Sequence, residues 1–174
     1  MRQVEFDLEG PLVYKKRYKP WKNRLASIGP TQLSDGRLIQ FAANQVGFYN
    51  YFYQAEWPDY IEDYYGPKTA TGTVRLQQVF FDHVLFTDNH AIIFESDDKS
   101  HYDQQYCIQK GFDYADIQRR DEIKDIWARR NDILLVRLRE YKKQNDKFVP
   151  VTKAEKLKII FKVLRDVKKI EDSM

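Results

Sequence analysis

The chain has 174 residues, of which 43% are hydrophobic and 32% are charged, which suits one folded domain and excludes an intrinsically disordered protein. No segment reaches the roughly 18 apolar residues that a membrane span requires, and residues 1–10 are acidic rather than typical of a signal peptide. The single cysteine, Cys107, excludes an internal disulfide and a zinc site of several cysteines, so we expect an intracellular protein.

Residues 1–35 are predicted to form a basic and aromatic arm. The net charge of the chain is only +3, so binding to a polyanion depends on local clusters of cations. In this arm, aromatic residues separate the cations, which suits a phosphate backbone with stacked bases or sugars. The alternative is an arm whose rings pack on the domain while its lysines stay in water. The candidate DNA-binding residues are Lys15, Lys16, Arg17, Lys19, Lys22 and Arg24.

The predicted core spans residues 36–148 and begins with a buried helix over residues 37–54, capped by Ser34 or Asp35. Residues 59–65 predict a further helical turn that Gly66 and Pro67 end.

A loop over residues 68–72 is predicted next, followed by a strand over residues 73–86.

Residues 81–97 have the pattern of a β-hairpin whose tight turn is centred on Asp88 and Asn89. This register places Asp82 directly opposite Glu95, with Asp97 on the same face. Opposed carboxylates repel each other, and a divalent cation between them would remove the penalty. Two alternatives remain open, namely a solvated acidic face and a turn of odd length that separates the pair.

After the hairpin, residues 97–111 are predicted to be irregular, and residues 114–130 form a helix that Asp113 or Asp116 caps. Residues 133–138 are a nearly continuous apolar run, typical of a central strand that is buried on both sides.

A charged linker over residues 142–147 leads to the C-terminal segment, residues 149–174. There Thr152 and Glu155 form a capping box that opens an amphipathic helix ending near Ile170.

The order of these elements resembles the very-short-patch-repair-type endonucleases. It is closest to their phage and homing relatives with an E-D-x-H-D active site, a branch of the PD-(D/E)XK nuclease fold. The matched block covers about residues 79–141. The resemblance implies an α/β fold with a restriction-endonuclease-like mixed sheet flanked by helices. The residues that carry it are Asp82, Ile92 to Asp97, His101, Tyr102, Arg120, Asp121, Lys124, Asn131, Ile133 to Leu135, Arg137 and Leu138.

The resemblance also implies roles for five residues. Asp82, Glu95 and Asp97 match acidic positions that hold Mg²⁺ or Mn²⁺, the implied cofactor. His101 matches a histidine that transfers a proton near neutral pH. Asp121 matches a later aspartate borne on a helix, where it orients His101 or holds a metal-bound water.

The family places one further glutamate on an earlier helix, and Glu56 or Glu62 is the candidate here. The chain departs from the family pattern at three positions. Asp98 replaces the usual glycine, Asp97 occupies the position of the lysine in the broader E-x-K signature, and His83 follows the first aspartate where phenylalanine is common.

These features predict a metal-dependent DNA endonuclease that acts on double-stranded DNA. A homodimer is left open, and no membrane partner is expected. Two other interpretations remain, namely a weakly active or inactive nucleic-acid-binding protein on the same fold, and an interaction or structural protein whose match is accidental.

Overall fold

The computed structural model describes the backbone of residues 30–56, 65–68, 74–76 and 80–174, and the side chains of residues 30–51 and 81–174. The helices are α1 (Pro30–Val46), α2 (Gln104–Lys110), α3 (Tyr114–Arg130) and α4 (Lys153–Glu171), with a short 3-10 helix over Lys99–His101. The strands are β1 (Asn50–Glu56), β2 (Tyr65–Lys68), β3 (Val74–Leu76), β4 (Phe80–Phe86), β5 (Ala91–Asp97), β6 (Leu134–Arg139), β7 (Tyr141–Gln144) and β8 (Lys147–Pro150).

The main sheet has four described strands in the order β1-β4-β5-β6. Strand β4 is antiparallel to both of its neighbours, β1 and β5, whereas β6 runs parallel to β5. Strands β2 with β3, and β7 with β8, form two small antiparallel pairs. The predicted α/β class and mixed sheet are therefore confirmed. None of the helices in the described part of the chain has the length and apolarity needed to cross a membrane.

Helices cover both faces of this sheet. On one face α3 packs through Trp127 and Ala128 against a cluster of strand residues. On the other face α1 and α4 bury their apolar sides against the sheet, and Leu164 of α4 is fully buried there. The predicted capping box of Thr152 and Glu155 opens α4, so this helix and its amphipathic pattern are confirmed.

The predicted helix over residues 37–54 is wrong at both ends. Helix α1 begins at Pro30, a residue that suits a first helical turn, and it ends at Val46. Gly47 follows with a φ of 96°, a left-handed conformation that glycine adopts readily and that stops the helix. Asp35 lies inside α1 rather than at its cap. The aromatic run after Gly47 instead pairs with β4 as strand β1, in keeping with the preference of aromatic residues for strands.

The prediction of irregular structure over residues 97–111 is also wrong. Asp98 caps the 3-10 helix, since its carboxylate accepts the Ser100 N–H at 2.8 Å, and this gives a local role to the aspartate that replaces the family's glycine. Asp103 then caps α2 by accepting the Tyr106 N–H, and Gly111 ends that helix. Helix α3 has the bounds that the sequence predicts, with Asp113 as its cap.

Strand β6 occupies an edge of the described sheet and is not central. Leu134 is 45% exposed, while Leu138 is fully buried, so only part of the apolar run faces the core. The predicted charged linker over residues 142–147 is the hairpin β7–β8, whose turn residues Asn145 and Asp146 both have positive φ values. Polar residues at such a turn tolerate this conformation, which a composition-based linker assignment misses.

The segment between α1 and β4 is described only in part. Three segments lie outside the described residues, namely 57–64, 69–73 and 77–79. The first contains most of the predicted helical turn, and the second contains most of the predicted loop. Tyr65–Lys68 is a strand, so Gly66 and Pro67 do not end a helix there. The single strand predicted over residues 73–86 consists of β3 and β4, which belong to different sheets.

A buried polar chain lies between α1 and the sheet. His83, fully buried, has its Nδ1 2.8 Å from the Tyr51 hydroxyl and its Nε2 3.1 Å from Ser96 Oγ. Helix α1 approaches so closely that a Cβ on Gly36 would lie 2.6 Å from the Tyr51 oxygen. Burial, assisted by the charge of Lys156, lowers the pKa of His83 to about 3. The imidazole is therefore neutral in the folded protein at any pH where the protein would be handled.

We expect His83 to make the protein less stable in mild acid. The folded-state pKa lies below the ordinary value of 6.5, so the unfolded chain takes up the proton first. The free energy of unfolding therefore has its full value above pH 6.5 and decreases as the pH falls toward 3. At pH 5 the decrease due to His83 is about 2 kcal/mol. Urea unfolding at pH 7.5 and pH 5 should show this loss for the wild type and a smaller one for His83→Gln. Equal losses in both proteins would contradict the prediction.

Candidate active site

The hairpin of β4 and β5 brings the predicted carboxylates together. The ladder pairs His83 with Phe94 and continues the register that sets Asp82 opposite Glu95. The Asp82 N–H donates to Glu95 Oε1 at 3.1 Å. Both side chains, with that of Asp97, lie on the α3 face of the sheet, as the alternation of strand residues requires. The predicted cross-strand pair is therefore confirmed as a geometric fact.

Asp82 is held by two donors in addition to its place in the strand. The Ser96 N–H donates to Oδ2 at 2.9 Å, and the Gln32 side chain, which reaches from the first turns of α1, donates through Nε2 to Oδ1 at 2.7 Å. Burial raises the pKa of Asp82, although Lys124 opposes the shift. Helix α1 thus contributes an amide to the site.

Glu95 is paired with a lysine that α3 supplies. Lys124 Nζ lies 2.5 Å from Glu95 Oε2, and the two side chains are only 13% and 2% exposed. Lys124 Nζ also lies 5.6 Å from the centre of the Phe81 ring. Burial raises the pKa of Glu95 to about 7. At Lys124 burial favours a lower pKa, but the charges of Glu95 and Asp82 outweigh this effect and raise the pKa. Lys124 therefore remains cationic beside a carboxylate that ionises near neutrality.

Arg137 connects three carboxylates on β5 and α3. Its Nη1 lies 3.1 Å from Asp97 Oδ1 and 3.2 Å from Asp121 Oδ1, and its Nη2 lies 2.9 Å from Asp125 Oδ1. Burial raises the pKa of Asp97, and the charge of Arg137 only partly offsets this effect. One guanidinium therefore fixes the carboxylates that flank His101.

His101 and Asp121 form a dyad at the mouth of this site. His101 Nδ1 lies 2.8 Å from Asp121 Oδ2 and 3.7 Å from Asp97 Oδ1, and the imidazole is 26% exposed. Burial disfavours the imidazolium, but the hydrogen bond to Asp121 and the charge of Asp97 outweigh it and raise the pKa of His101. Asp121 has a lowered pKa, because its contact with His101 outweighs burial. The contact with Asp121 therefore uses Nδ1 and fixes the orientation of the ring.

We name Asp82, Glu95, Asp97 and Asp121 the acidic cluster. Its oxygen donors suit a hard cation such as Mg²⁺ or Mn²⁺, and its four carboxylates outnumber the two permanent cations among them. Among the side chains that the structure describes, no three His, Cys, Asp or Glu groups already converge as a metal cage. Glu95 and Asp97 turn instead toward the basic groups of Lys124 and Arg137. Carboxylate oxygens are the donors that a hard divalent cation takes, and the strand register brings Asp82 and Glu95 next to each other. In the structure, however, the oxygens of these two side chains contact Gln32, the backbone N–H groups of Asp82 and Ser96, and Lys124.

The predicted upstream glutamate is not where its spacing suggests. Glu56 is the last residue of strand β1, with its backbone opposite Phe80, so its expected place at a helix end is wrong and its catalytic role stays a prediction. Glu62 lies outside the described residues, as do the arm residues 15–24. The helix that does precede β4 presents Gln32 to Asp82.

Three residues of the site received no role from the sequence, namely Gln32, Lys124 and Arg137. Lys124 and Arg137 lie in the matched block, and two signals point to them. Lys124 follows Asp121 by three residues, which puts both on one face of α3, and Arg137 pairs with Glu95 in the parallel ladder. Gln32 carries no comparable signal, because it lies far from the block in sequence.

Comparison with known proteins identifies no relative. No family model, no curated protein and no solved structure matches this chain.

Proposed function

We propose that this protein is a metal-dependent DNA endonuclease that hydrolyses phosphodiester bonds. The observation that carries the proposal is the His101–Asp121 dyad, which lies beside the buried carboxylates of the acidic cluster. A proton-transfer group next to hard oxygen donors is what phosphodiester hydrolysis requires. The resemblance to the E-D-x-H-D nucleases supports the same reaction.

Asp82 and Glu95 are the residues that would hold Mg²⁺ or Mn²⁺, with Asp97 as a neighbouring acidic group. When bound, such a cation supplies charge neutralisation at the phosphate and a more acidic water. Arg137 keeps Asp97 and Asp121 in fixed orientations, so these carboxylates need no rearrangement during the reaction. The protein contributes a rigid acidic face on the sheet.

His101 acts in this proposal as the general acid. Asp97 and Asp121 favour its protonated form, so the imidazolium donates a proton to the leaving oxygen of the cleaved phosphodiester. Asp121 orients the ring through its contact with Nδ1, and we assign the proton transfer to the other nitrogen. Double-stranded DNA is the proposed substrate, and the arm residues between Lys15 and Arg24 are proposed to contact its phosphates independently of sequence.

A second candidate is a DNA-binding protein of the same fold with weak or no activity. Lys124 and Arg137 already neutralise Glu95 and Asp97, and the earlier helix offers the neutral Gln32 to Asp82. These contacts favour a reduced affinity for metal ions and hence a slower enzyme.

Incubation with supercoiled plasmid tests both candidates. We expect nicked or linear product with Mg²⁺ or Mn²⁺ and none with a chelator, and we expect Asp82→Asn to lose the activity because a metal-holding carboxylate is removed. Asp166→Asn on the exposed side of α4 is the matched control and should cut normally. DNA binding without cleavage by the wild type would favour the second candidate, and the absence of both would reject a nucleic-acid function.

A further inference from the structure

We propose that Lys124 is a counter-ion of the acidic cluster. Its ammonium is paired with Glu95 until a divalent cation displaces it, and this competition limits the affinity of the site for the cation. This inference rests on the proposed function, since it assigns a regulating residue to the same metal-binding pair. It goes beyond that function because it predicts how the affinity of the acidic cluster for a divalent cation depends on the charge of Lys124.

Both oxygens of Glu95 are engaged in the structure. Oε1 accepts the Asp82 N–H at 3.1 Å, and Oε2 contacts Lys124 Nζ at 2.5 Å. The lysine reaches this position from α3, and 13% of its side chain is exposed. Its ammonium also interacts with the charges of Asp82 and Asp121. Lys124 therefore contacts Glu95 and interacts electrostatically with two further carboxylates of the cluster.

A second buried lysine shows what a purely structural ion pair looks like in this fold. On the other face of the sheet, Lys156 Nζ contacts both oxygens of Asp35, at 2.7 Å and 2.8 Å, and ties α4 to α1. Lys124 instead contacts a single oxygen of Glu95 and faces further carboxylates. An ammonium with several anionic neighbours acts as a counter-ion for the group.

The physical consequence follows from the charges. A divalent cation on Glu95 and an ammonium at hydrogen-bond distance from the same carboxylate repel each other strongly in a buried site. Binding therefore includes the displacement of Lys124, and this lowers the affinity. Removal of the positive charge should make binding tighter, whereas an arginine at the same position should keep binding weak.

Mn²⁺ titration by isothermal calorimetry at pH 8.5 tests this proposal. We expect Lys124→Met to bind Mn²⁺ at least about tenfold more tightly than the wild type, which corresponds to about 1.4 kcal/mol. Lys124→Arg and the control Arg120→Met should stay within about twofold of the wild type, because the first keeps the buried charge and the second removes an exposed charge that solvent screens. Thermal melts establish that each variant is folded, and Lys124→Gln replaces Lys124→Met if the latter is not.

The outcomes separate this inference from the proposed function. Mn²⁺ affinity of Lys124→Met, or of Lys124→Gln in its place, equal to or below that of the wild type would overturn the counter-ion role, and so would an equal gain in Arg120→Met. If the wild type itself binds no Mn²⁺ and cuts no plasmid, the endonuclease proposal fails and the counter-ion role fails with it. If the wild type binds and cuts while Lys124→Met gains nothing, only the counter-ion role is wrong.

Discussion

Replacement of His101 by alanine should lower the rate of plasmid cleavage by about 10²–10⁴-fold and leave DNA affinity nearly unchanged, because a proton-transfer group acts at the transition state. The dyad geometry supports this expectation, since the contact with Asp121 fixes the orientation of the ring. Single-turnover cleavage and gel-shift titrations on the same preparations measure the two quantities. Cleavage by His101→Ala at the wild-type rate would contradict the role of His101.

Two controls make this result specific. His90, near the hairpin turn, contacts Glu171 rather than the acidic cluster, so His90→Ala should cut at the wild-type rate. Joint neutralisation of Lys15, Lys16 and Arg17 should have the opposite effect to His101→Ala. It should weaken DNA binding and flatten its dependence on salt by a slope of roughly 2–3. Loss of cleavage in His90→Ala would indicate a general defect instead of a catalytic one.

The second large effect concerns the buried ion pair between α1 and α4. Asp35 is 1% exposed, and both of its oxygens contact Lys156 Nζ. Asp35→Asn leaves the ammonium buried without its counter-charge, and we expect the free energy of unfolding to fall by about 3–5 kcal/mol. Urea unfolding at neutral pH measures the change.

Two comparisons test whether burial is the cause. Asp166→Asn breaks an exposed pair with Lys162 on α4, at 3.6 Å, and should change the stability little, because solvent screens that pair. The double variant Asp35→Leu with Lys156→Met removes both charges and should be more stable than Asp35→Asn alone. A double variant no more stable than Asp35→Asn would show that packing, rather than the unpaired charge, explains the loss.

Elements with local signals are predictable from the order of residues along the chain. The alternation of residues and the tight turn predicted the hairpin register, and with it the approach of Asp82 to Glu95. Cap residues and helical spacing predicted α3 and α4 within about one residue, including the capping box at Thr152. The resemblance to the nucleases implied that Asp121 orients His101 or holds a metal-bound water, and the contact between the two side chains agrees with the first of these roles.

Features that depend on partners distant in sequence are visible only in the folded structure. The aromatic run after Gly47 became strand β1 because β4 offers a pairing edge, and β6 became an edge strand because no described strand pairs beyond it. The basic groups of the site come from α3 and β6, and their contacts with Glu95 and Asp97 depend on packing between layers. Gln32 reaches Asp82 across 50 positions of sequence, a separation at which local propensity carries no information. The ion pairs of the buried site therefore form only when α3 and β6 pack against β5.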